Sequence, residues 1–187
     1  MKMNTQLMGA AIALALATSS VQANLITNPG FETGDLTGWT DTPAPSGSLF
    51  SVSASAAHTG DYALWFGAVS GYNDTVSQTV ATTPGATYKI EFWLAGNYES
   101  YFQADWNGSP LLQYYSADNF EYTYFSFTAL ASGSSTTLAA FGGRNAPAWC
   151  QLDDVSVTQV VPESSTWLAG AGASLAMLGS FVRRNRK

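Results

Sequence analysis

The most restrictive feature of the sequence is a series of short segments in which apolar and polar residues alternate. Between residues 24 and 161, no stretch keeps apolar residues at helical spacing for three turns. The clearest alternating segment is 88–94. One face of it carries Tyr88, Ile90, Phe92 and Leu94, and the other carries Lys89, Glu91 and Trp93. This alternation indicates a β-strand with one buried face.

Turn-forming residues separate the alternating segments. Asn107-Gly108 is the strongest of these signals, because the pair favours a two-residue hairpin turn. Strands are predicted at 61–67, 75–80, 88–94, 101–106, 111–115, 122–129, 136–141 and 149–158. Eight or nine short strands in a stretch of this length predict one all-β domain, a two-sheet jelly roll or β-sandwich.

Residues 1–23 have the pattern of a signal peptide. Lys2 supplies a positive charge, residues 8–17 are apolar, and Val21-Gln22-Ala23 places small residues before a cut. The apolar run is ten residues long, whereas a membrane span needs about 20. We therefore expect cleavage before Asn24 and export.

The last 26 residues, 162–187, have the pattern of a membrane anchor. The uncharged stretch 167–182 is followed directly by the basic end 183–187. As a helix this stretch would extend about 24 Å, which suffices when Trp167 lies at the interface and the basic side chains reach out of the membrane. The basic end should stay on the cytoplasmic side. The domain 24–161 should then lie outside the cell.

The domain between these ends is acidic. It contains twelve Asp or Glu residues and two basic residues, Lys89 and Arg144. Nucleic acid is excluded as a partner because phosphate binding needs clustered Lys and Arg. The charge suits an extracellular protein or one that binds a divalent cation. Cys150 is the single cysteine, so an intrachain disulfide is excluded, and we expect it to be a small buried residue in a late strand.

Five segments occur in order along the domain: NLITNPGFETGDLTGW, HTGDYAL, TPGATYKIEFWLAG, DWNG and QLDDVSV. Together they resemble the galactose-binding-like β-sandwich of carbohydrate-binding modules. The tail VPESSTWLAGAGASLAMLGSFVRRNRK resembles the PEP-CTERM sorting signal, with Pro162 and Glu163 in the motif 162–165 and Ser164 in place of its second proline. This resemblance implies an exosortase-type processing transpeptidase as a partner. It also implies a place at the cell surface or in the extracellular polysaccharide matrix.

Asp153 and Asp154 are predicted to face opposite sides of the last strand. By alternation, Asp153 shares the face of Val155 and Val157. A carboxylate on such a core-facing row is costly unless it is neutralised or binds a cation.

The family resemblance implies a structural Ca²⁺ held by Glu32 and Asp153. Backbone carbonyls near Asn28 and in the segment 58–61 would complete the oxygen ligands that calcium prefers. The alternative is that both carboxylates only accept backbone N–H groups at loop ends.

Trp93, Tyr101, Gln103 and Arg144 are the candidate carbohydrate-binding residues. Sugar rings stack on aromatic planes, while amide and guanidinium groups bond their hydroxyls. Trp93 lies off the apolar row of its strand. We therefore expect these four residues on one concave face. The alternative is that a loop covers Trp93 and that Arg144 pairs with a surface carboxylate.

We predict a non-catalytic, exported protein that binds or associates with exopolysaccharide. One rival is a structural matrix protein without a ligand site. The other is a glycoside-processing enzyme, which needs two carboxylates about 5–9.5 Å apart across one bond. Asp153 and Asp154, expected on opposite faces, do not meet this need. His58, the single histidine, is expected to be solvated in a turn.

Overall fold

The computed structural model describes residues 22–55, 57–68, 72–97, 99–144 and 149–161, with the backbone alone at 139–144. Ten strands follow one another along these residues. They are β1 (Thr40–Thr42), β2 (Phe50–Ser53), β3 (Ala63–Phe66), β4 (Asp74–Ala81), β5 (Thr87–Gly96), β6 (Tyr101–Trp106), β7 (Ser109–Tyr115), β8 (Phe120–Leu130), β9 (Ser135–Arg144) and β10 (Cys150–Gln159).

The strands form two antiparallel five-stranded sheets. Sheet A has the order β1-β4-β9-β6-β7, and sheet B has the order β2-β3-β10-β5-β8. The predicted all-β two-sheet jelly roll is confirmed, and each of the eight predicted segments overlaps a strand. Sequence alternation missed β1 and β2, because they have three and four residues and bury no continuous row.

The core lies between the inner faces of the two sheets. Strand β5 buries Tyr88, Ile90, Phe92 and Leu94, as the alternation predicts. Phe102 of sheet A meets them from the other side, with its ring centroid 5.6 Å from that of Phe92. Cys150 is buried in β10, also as expected. Residues that alternate with these core rows therefore point outward from one sheet or the other.

The segment before β1 runs antiparallel to the second half of β10. The Leu25 N–H donates to the Val157 carbonyl (2.9 Å), and the Val155 N–H donates to the Pro29 carbonyl (2.9 Å). Asn24 closes the end of this pairing, because its side chain accepts from the Val157 N–H and donates to the Val155 carbonyl. The N-terminal segment thereby occupies the edge of β10 beyond its pairing with β3, which stops at Leu152.

Several sequence predictions fall outside the described residues. They concern nearly all of the signal peptide 1–23 and the whole tail 162–187, including Pro162, Glu163 and the apolar stretch 167–182. In the part of the chain that the structure describes, no helix is long and apolar enough to cross a membrane.

Candidate functional site

The outer face of sheet A carries a hydrogen-bonded row of polar side chains along β6. Tyr101, Gln103 and Asp105 alternate with residues buried in the core. The Tyr101 hydroxyl donates to Gln103 Oε1 (2.8 Å), and Gln103 Nε2 donates to Asp105 Oδ1 (2.9 Å). Each group orients the next, so the row is fixed before any ligand arrives.

A second row crosses sheet A from edge to edge. Pairing aligns Gln113, Gln103, Gly142, Thr75 and Thr42 at one level of the five strands. Four of the five are polar, and Gly142 has no side chain. At the position of Gly142 the row therefore presents only backbone. A row of amides and hydroxyls of this kind can hydrogen-bond the hydroxyl groups of a linear saccharide.

Tyr115 adds an aromatic plane beside this row. It pairs with Tyr101 across β6 and β7, and 58% of its surface is exposed. On the other side of Tyr101, the backbone of Arg144 is aligned with it in β9. The structure thus brings Tyr101, Gln103 and the backbone of Arg144 together on the outer face of sheet A.

Trp93 does not belong to that face, which corrects the expectation that the four residues share one concave surface. It lies on the outer face of sheet B, whereas Tyr101 and Gln103 lie on the outer face of sheet A. The core separates the two faces. The jelly-roll connection from β5 to β6 crosses between sheets, so residues eight positions apart end on opposite sides of the sandwich.

Trp93 itself is half-buried, as expected for a residue off the core row. The imidazole of His58 covers one face of its indole, with ring centroids 3.9 Å apart. Tyr124 contacts it at a centroid distance of 5.4 Å. The loop before β3 therefore covers part of Trp93, which agrees with the alternative in which a loop packs over it.

Asp153 and Asp154 both bond the loop that contains His58 and Thr59. The N–H groups of His58 and Thr59 donate to Asp153 Oδ2 (2.7 and 3.2 Å). His58 Nδ1 lies 2.6 Å from Asp154 Oδ2, and the Thr59 hydroxyl donates to Asp154 Oδ1 (2.6 Å). The expectation that the two carboxylates face opposite sides is wrong, and His58 is part of a packed cluster rather than solvated.

The physical reason is a β-bulge in β10. Asp153 pairs with Trp93, but the next pair joins Ser156 to Glu91, so Asp154 and Val155 together face Phe92. Asp154 has a φ of 49°, the left-handed conformation that an inserted residue often takes. Asp153 consequently lies on the row of Trp93 and not on that of Val155 and Val157.

Glu32 and Asp153, the two predicted calcium ligands, converge beside Gly30. A Cβ placed on Gly30 would lie 3.3 Å from Asp153 Oδ1 and 3.6 Å from Glu32 Oε1. The N–H groups of Asp61 and Tyr62 donate to Glu32, which also packs closely against Gly60. Both carboxylates therefore do accept backbone N–H groups at loop ends.

The two carboxylates fit a calcium ion in the chemistry of their donor atoms. Each oxygen has two lone pairs and can bind a cation beside its N–H partner. Asp153 is completely buried, and this burial, with the charge of Asp154 adding to it, raises the pKa of Asp153 to about 6. A bound cation would offset the free-energy cost of keeping this buried carboxylate charged. Among the described residues, however, no group of three or more His, Cys, Asp or Glu converges, so carbonyl oxygens would have to supply the other ligands.

Sequence reasoning missed Gln113, Tyr115 and Gly142 on the sheet A face. The Asn107-Gly108 hairpin alone would place Gln103 opposite Leu112, but a bulge between Ala104 and Asp105 shifts the register, so that Gln103 pairs with Gln113 and Tyr101 with Tyr115. Gly142 joins them only through the pairing of β6 with β9. The contact between His58 and Trp93 left no signal in the sequence, since it joins residues 35 positions apart through a loop.

Comparison with known proteins agrees with this architecture. Residues 23–140 match the family model described as carbohydrate binding domain. No curated protein sequence matches the chain. Among solved structures, TmCBM61 in complex with β-1,4-galactotriose has a TM-score of 0.62 at 20% identity, covering 74% of this chain and 99% of that one.

Two further structures have the same fold. The CBM22-1 xylan-binding domain of Paenibacillus barcinonensis Xyn10C gives a TM-score of 0.53 at 18% identity, over 78% of this chain and 99% of that one. The CBM22-1–GH10 modules of Clostridium thermocellum xylanase 10B, complexed with xylohexaose, give 0.55 at 14% identity, over 74% of this chain and 29% of that one. With its two-sheet sandwich and the family match over most of its length, the chain belongs to the carbohydrate binding domain family.

Proposed function

We propose that this protein is a non-catalytic carbohydrate-binding protein of the cell surface or extracellular matrix, and that it binds a linear polysaccharide across the outer face of sheet A. The observation that carries the proposal is the row of Gln113, Gln103, Gly142 and Thr75 across that sheet. Membership of the carbohydrate binding domain family supports a carbohydrate as the ligand. The row of polar residues supports the outer face of sheet A as the surface that binds it.

The face favours a neutral polysaccharide. Among the side chains that the structure describes on this face, the hydrogen-bonding groups are amides, hydroxyls and the carboxylate of Asp105, and the amide of Gln103 is already held by Tyr101 and Asp105. Tyr115 offers an exposed ring on which an apolar sugar face can stack. β-1,4-Galactan and xylan are the first ligands to test, because fold neighbours were solved with galactotriose and xylohexaose or are described as xylan-binding.

Affinity measurements on the full chain with a polysaccharide panel test this proposal. Gln103→Ala and Tyr115→Ala should each weaken binding by about 1–3 kcal/mol, because each removes one of the few oriented or exposed groups. Tyr124→Ala is the matched control. It removes a tyrosine of similar exposure, 46%, from the outer face of sheet B.

Equal losses in Tyr115→Ala and Tyr124→Ala would reject the sheet A face. If the folded chain bound no polysaccharide in the panel, the alternative hypothesis, a structural matrix protein without a ligand site, would replace the proposal.

Calcium is the second part of the proposal. Glu32 and Asp153 would hold one Ca²⁺ between the N-terminal segment, the loop before β3 and strand β10. The support is their convergence at Gly30, together with the complete burial of Asp153. The ion would neutralise charge and fix three segments to one another. We assign it no catalytic step.

Export and sorting form the third part. The pattern of residues 1–23 supports cleavage before Asn24, and the resemblance of 162–187 to a sorting signal supports processing near Pro162 and Glu163 by an exosortase-type transpeptidase. N-terminal sequencing and intact mass of the exported protein test both. A mature form that keeps residues 183–187 would contradict tail processing.

A further inference from the structure

A cavity of about 390 Å³ lies on the opposite side of the sandwich from the sheet A face. It is at the end of sheet B where β5 ends and β8 and β10 begin. Its polar lining includes Asn97, Asn119, Glu121 and Gln151, and its aromatic walls are Phe120 and Tyr122. The volume is in the range of small-ligand sites, about 300–1,000 Å³.

A register shift between β5 and β8 creates the lining. Leu94 pairs with Thr123 and Gly96 pairs with Phe120, so two residues of β8, Glu121 and Tyr122, are opposite the single residue Ala95. In a regular strand these two neighbours would point to opposite faces. With the extra residue, both line the cavity. Bulges that re-aim a side chain in this way are frequent next to functional sites.

The walls of the cavity are fixed by packing and hydrogen bonds. A Cβ on Gly96 would lie 2.5 Å from the Phe120 ring and 2.7 Å from Ser100 Oγ, so the ring sits directly on the Gly96 backbone. The Ser100 N–H donates to the Asn97 carbonyl (3.1 Å), and the Ser116 N–H donates to the Ser100 carbonyl (3.0 Å). The segments before β6 and before β8 are thereby tied together, and the site is formed before a ligand binds.

We propose that this cavity is a second saccharide site, which holds one or two neutral pyranose units. Side-chain amides and a carboxylate can exchange hydrogen bonds with vicinal hydroxyls, and Phe120 and Tyr122 can contact the apolar face of a ring. The described lining of the cavity includes the carboxylate of Glu121 but no Lys or Arg. An anionic sugar or a phosphate is therefore disfavoured, because the site would repel its negative charge.

The second site shares its ligand class with the proposed function but none of its residues. Gln151 pairs with Ala95 on the outer face of sheet B, whereas Gln103 lies on the outer face of sheet A. A chain with a site on each side can bind two polysaccharide strands at once. Simultaneous binding would raise the overall affinity for a dense matrix and cross-link it.

Nuclear magnetic resonance of the full chain tests the second site directly. The probes are the methyl glycosides of galactose, glucose, mannose, xylose and N-acetylglucosamine, and the readout is the side-chain amide resonances of Asn97 and Gln151. At least one glycoside should shift both resonances, and the shifts should persist in Gln103→Ala. Gln151→Ala and Glu121→Ala should weaken that binding by about tenfold or more, equivalent to about 1.4 kcal/mol.

Ser126→Ala is the matched control, since Ser126 is exposed on the same strand as Glu121 but pairs with Glu91 outside the cavity. The second site is refuted if no glycoside shifts either amide resonance in the folded protein. It is also refuted if Gln151→Ala and Ser126→Ala bind the glycoside with the same affinity. Loss of polysaccharide binding in Gln103→Ala, with the amide shifts unchanged, would uphold both sites. Glycoside shifts without any polysaccharide binding at sheet A would uphold the second site alone.

Discussion

The imidazole of His58 is stacked on the indole of Trp93, with ring centroids 3.9 Å apart and the ring planes 18° from parallel. The same imidazole bonds Asp154 in β10. One side chain therefore ties the loop before β3 to two neighbouring strands of sheet B. The stack stabilises that loop, and the loop in turn supplies the N–H groups that Asp153 accepts.

Trp93→Ala should destabilise the domain much less than Phe92→Ala does. Trp93 is half-buried on an outer face, so its loss removes the His58 and Tyr124 contacts, at a cost of about 1–2 kcal/mol. Phe92 is completely buried, and its truncation leaves a cavity that costs about 3–5 kcal/mol. Urea unfolding of the two variants measures the difference. Similar free energies of unfolding would show that Trp93 is a core residue.

Chelation should lower the melting temperature, and Asp153 should be required for that response. A ligand that binds only the folded state stabilises it by about 2.7 kcal/mol at a hundredfold excess over Kd. Asp153→Asn should abolish the difference between calcium and chelator in a thermal melt. Asp154→Asn is the control, because Asp154 bonds the His58 and Thr59 side chains and is not one of the two predicted ligands. If both variants lose the response equally, Asp153 has no special role.

In chelator, the stability difference between wild type and Asp153→Asn should depend on pH. Burial raises the pKa of Asp153 to about 6, above the unfolded value near 3.9. Between those two values the folded state retains a proton that the unfolded state has released. The free energy of unfolding therefore falls as pH rises from about 4 to 6, by about 3 kcal/mol. Denaturant melts across this range measure it, and parallel profiles for the two proteins would contradict it.

Cys150 should resist alkylation until the domain unfolds. Burial raises the pKa of its thiol to about 12, so the reactive thiolate is scarce at pH 8, and the side chain is also inaccessible. Iodoacetamide labelling, followed by mass spectrometry, should be slow in buffer and complete in urea. Rapid labelling of the folded chain would show that the start of β10 opens locally.

Periodicity was sufficient to predict eight of the ten described strands and the faces of β5. It assigned Tyr88, Ile90, Phe92 and Leu94 to the core correctly, because a regular strand alternates strictly. It failed in β10, because the inserted residue at Asp154 shifts the alternation by one position. Residues before and after the bulge therefore do not share the face that strict alternation predicts. A bulge of this kind depends on pairing with β5, and no pattern within β10 itself marks it.

The candidate site was predicted only in part for a different reason. Alternation tells whether a residue points inward or outward, but not to which sheet its strand belongs. Trp93 and Tyr101 were both correctly placed outward, yet β5 and β6 lie in different sheets. The pairing of Gln103 with Gln113 could not be derived from the hairpin, because a bulge between Ala104 and Asp105 shifts the register by one residue. The alignment of Gly142 beside them required the long-range pairing of β6 with β9.

The antiparallel pairing of the N-terminal segment with β10 has a mechanical consequence. Residue 24 lies beside Val157, and Pro29 lies beside Val155, so the first and last described segments leave the domain at the same end of that pair. A pulling force applied between these two ends would load the hydrogen bonds one after another, beginning at Asn24. Opening in this sequence needs far less force than sliding two strands past each other. A bound ion at Glu32 and Asp153, just beyond Pro29, would be the point at which such peeling stops.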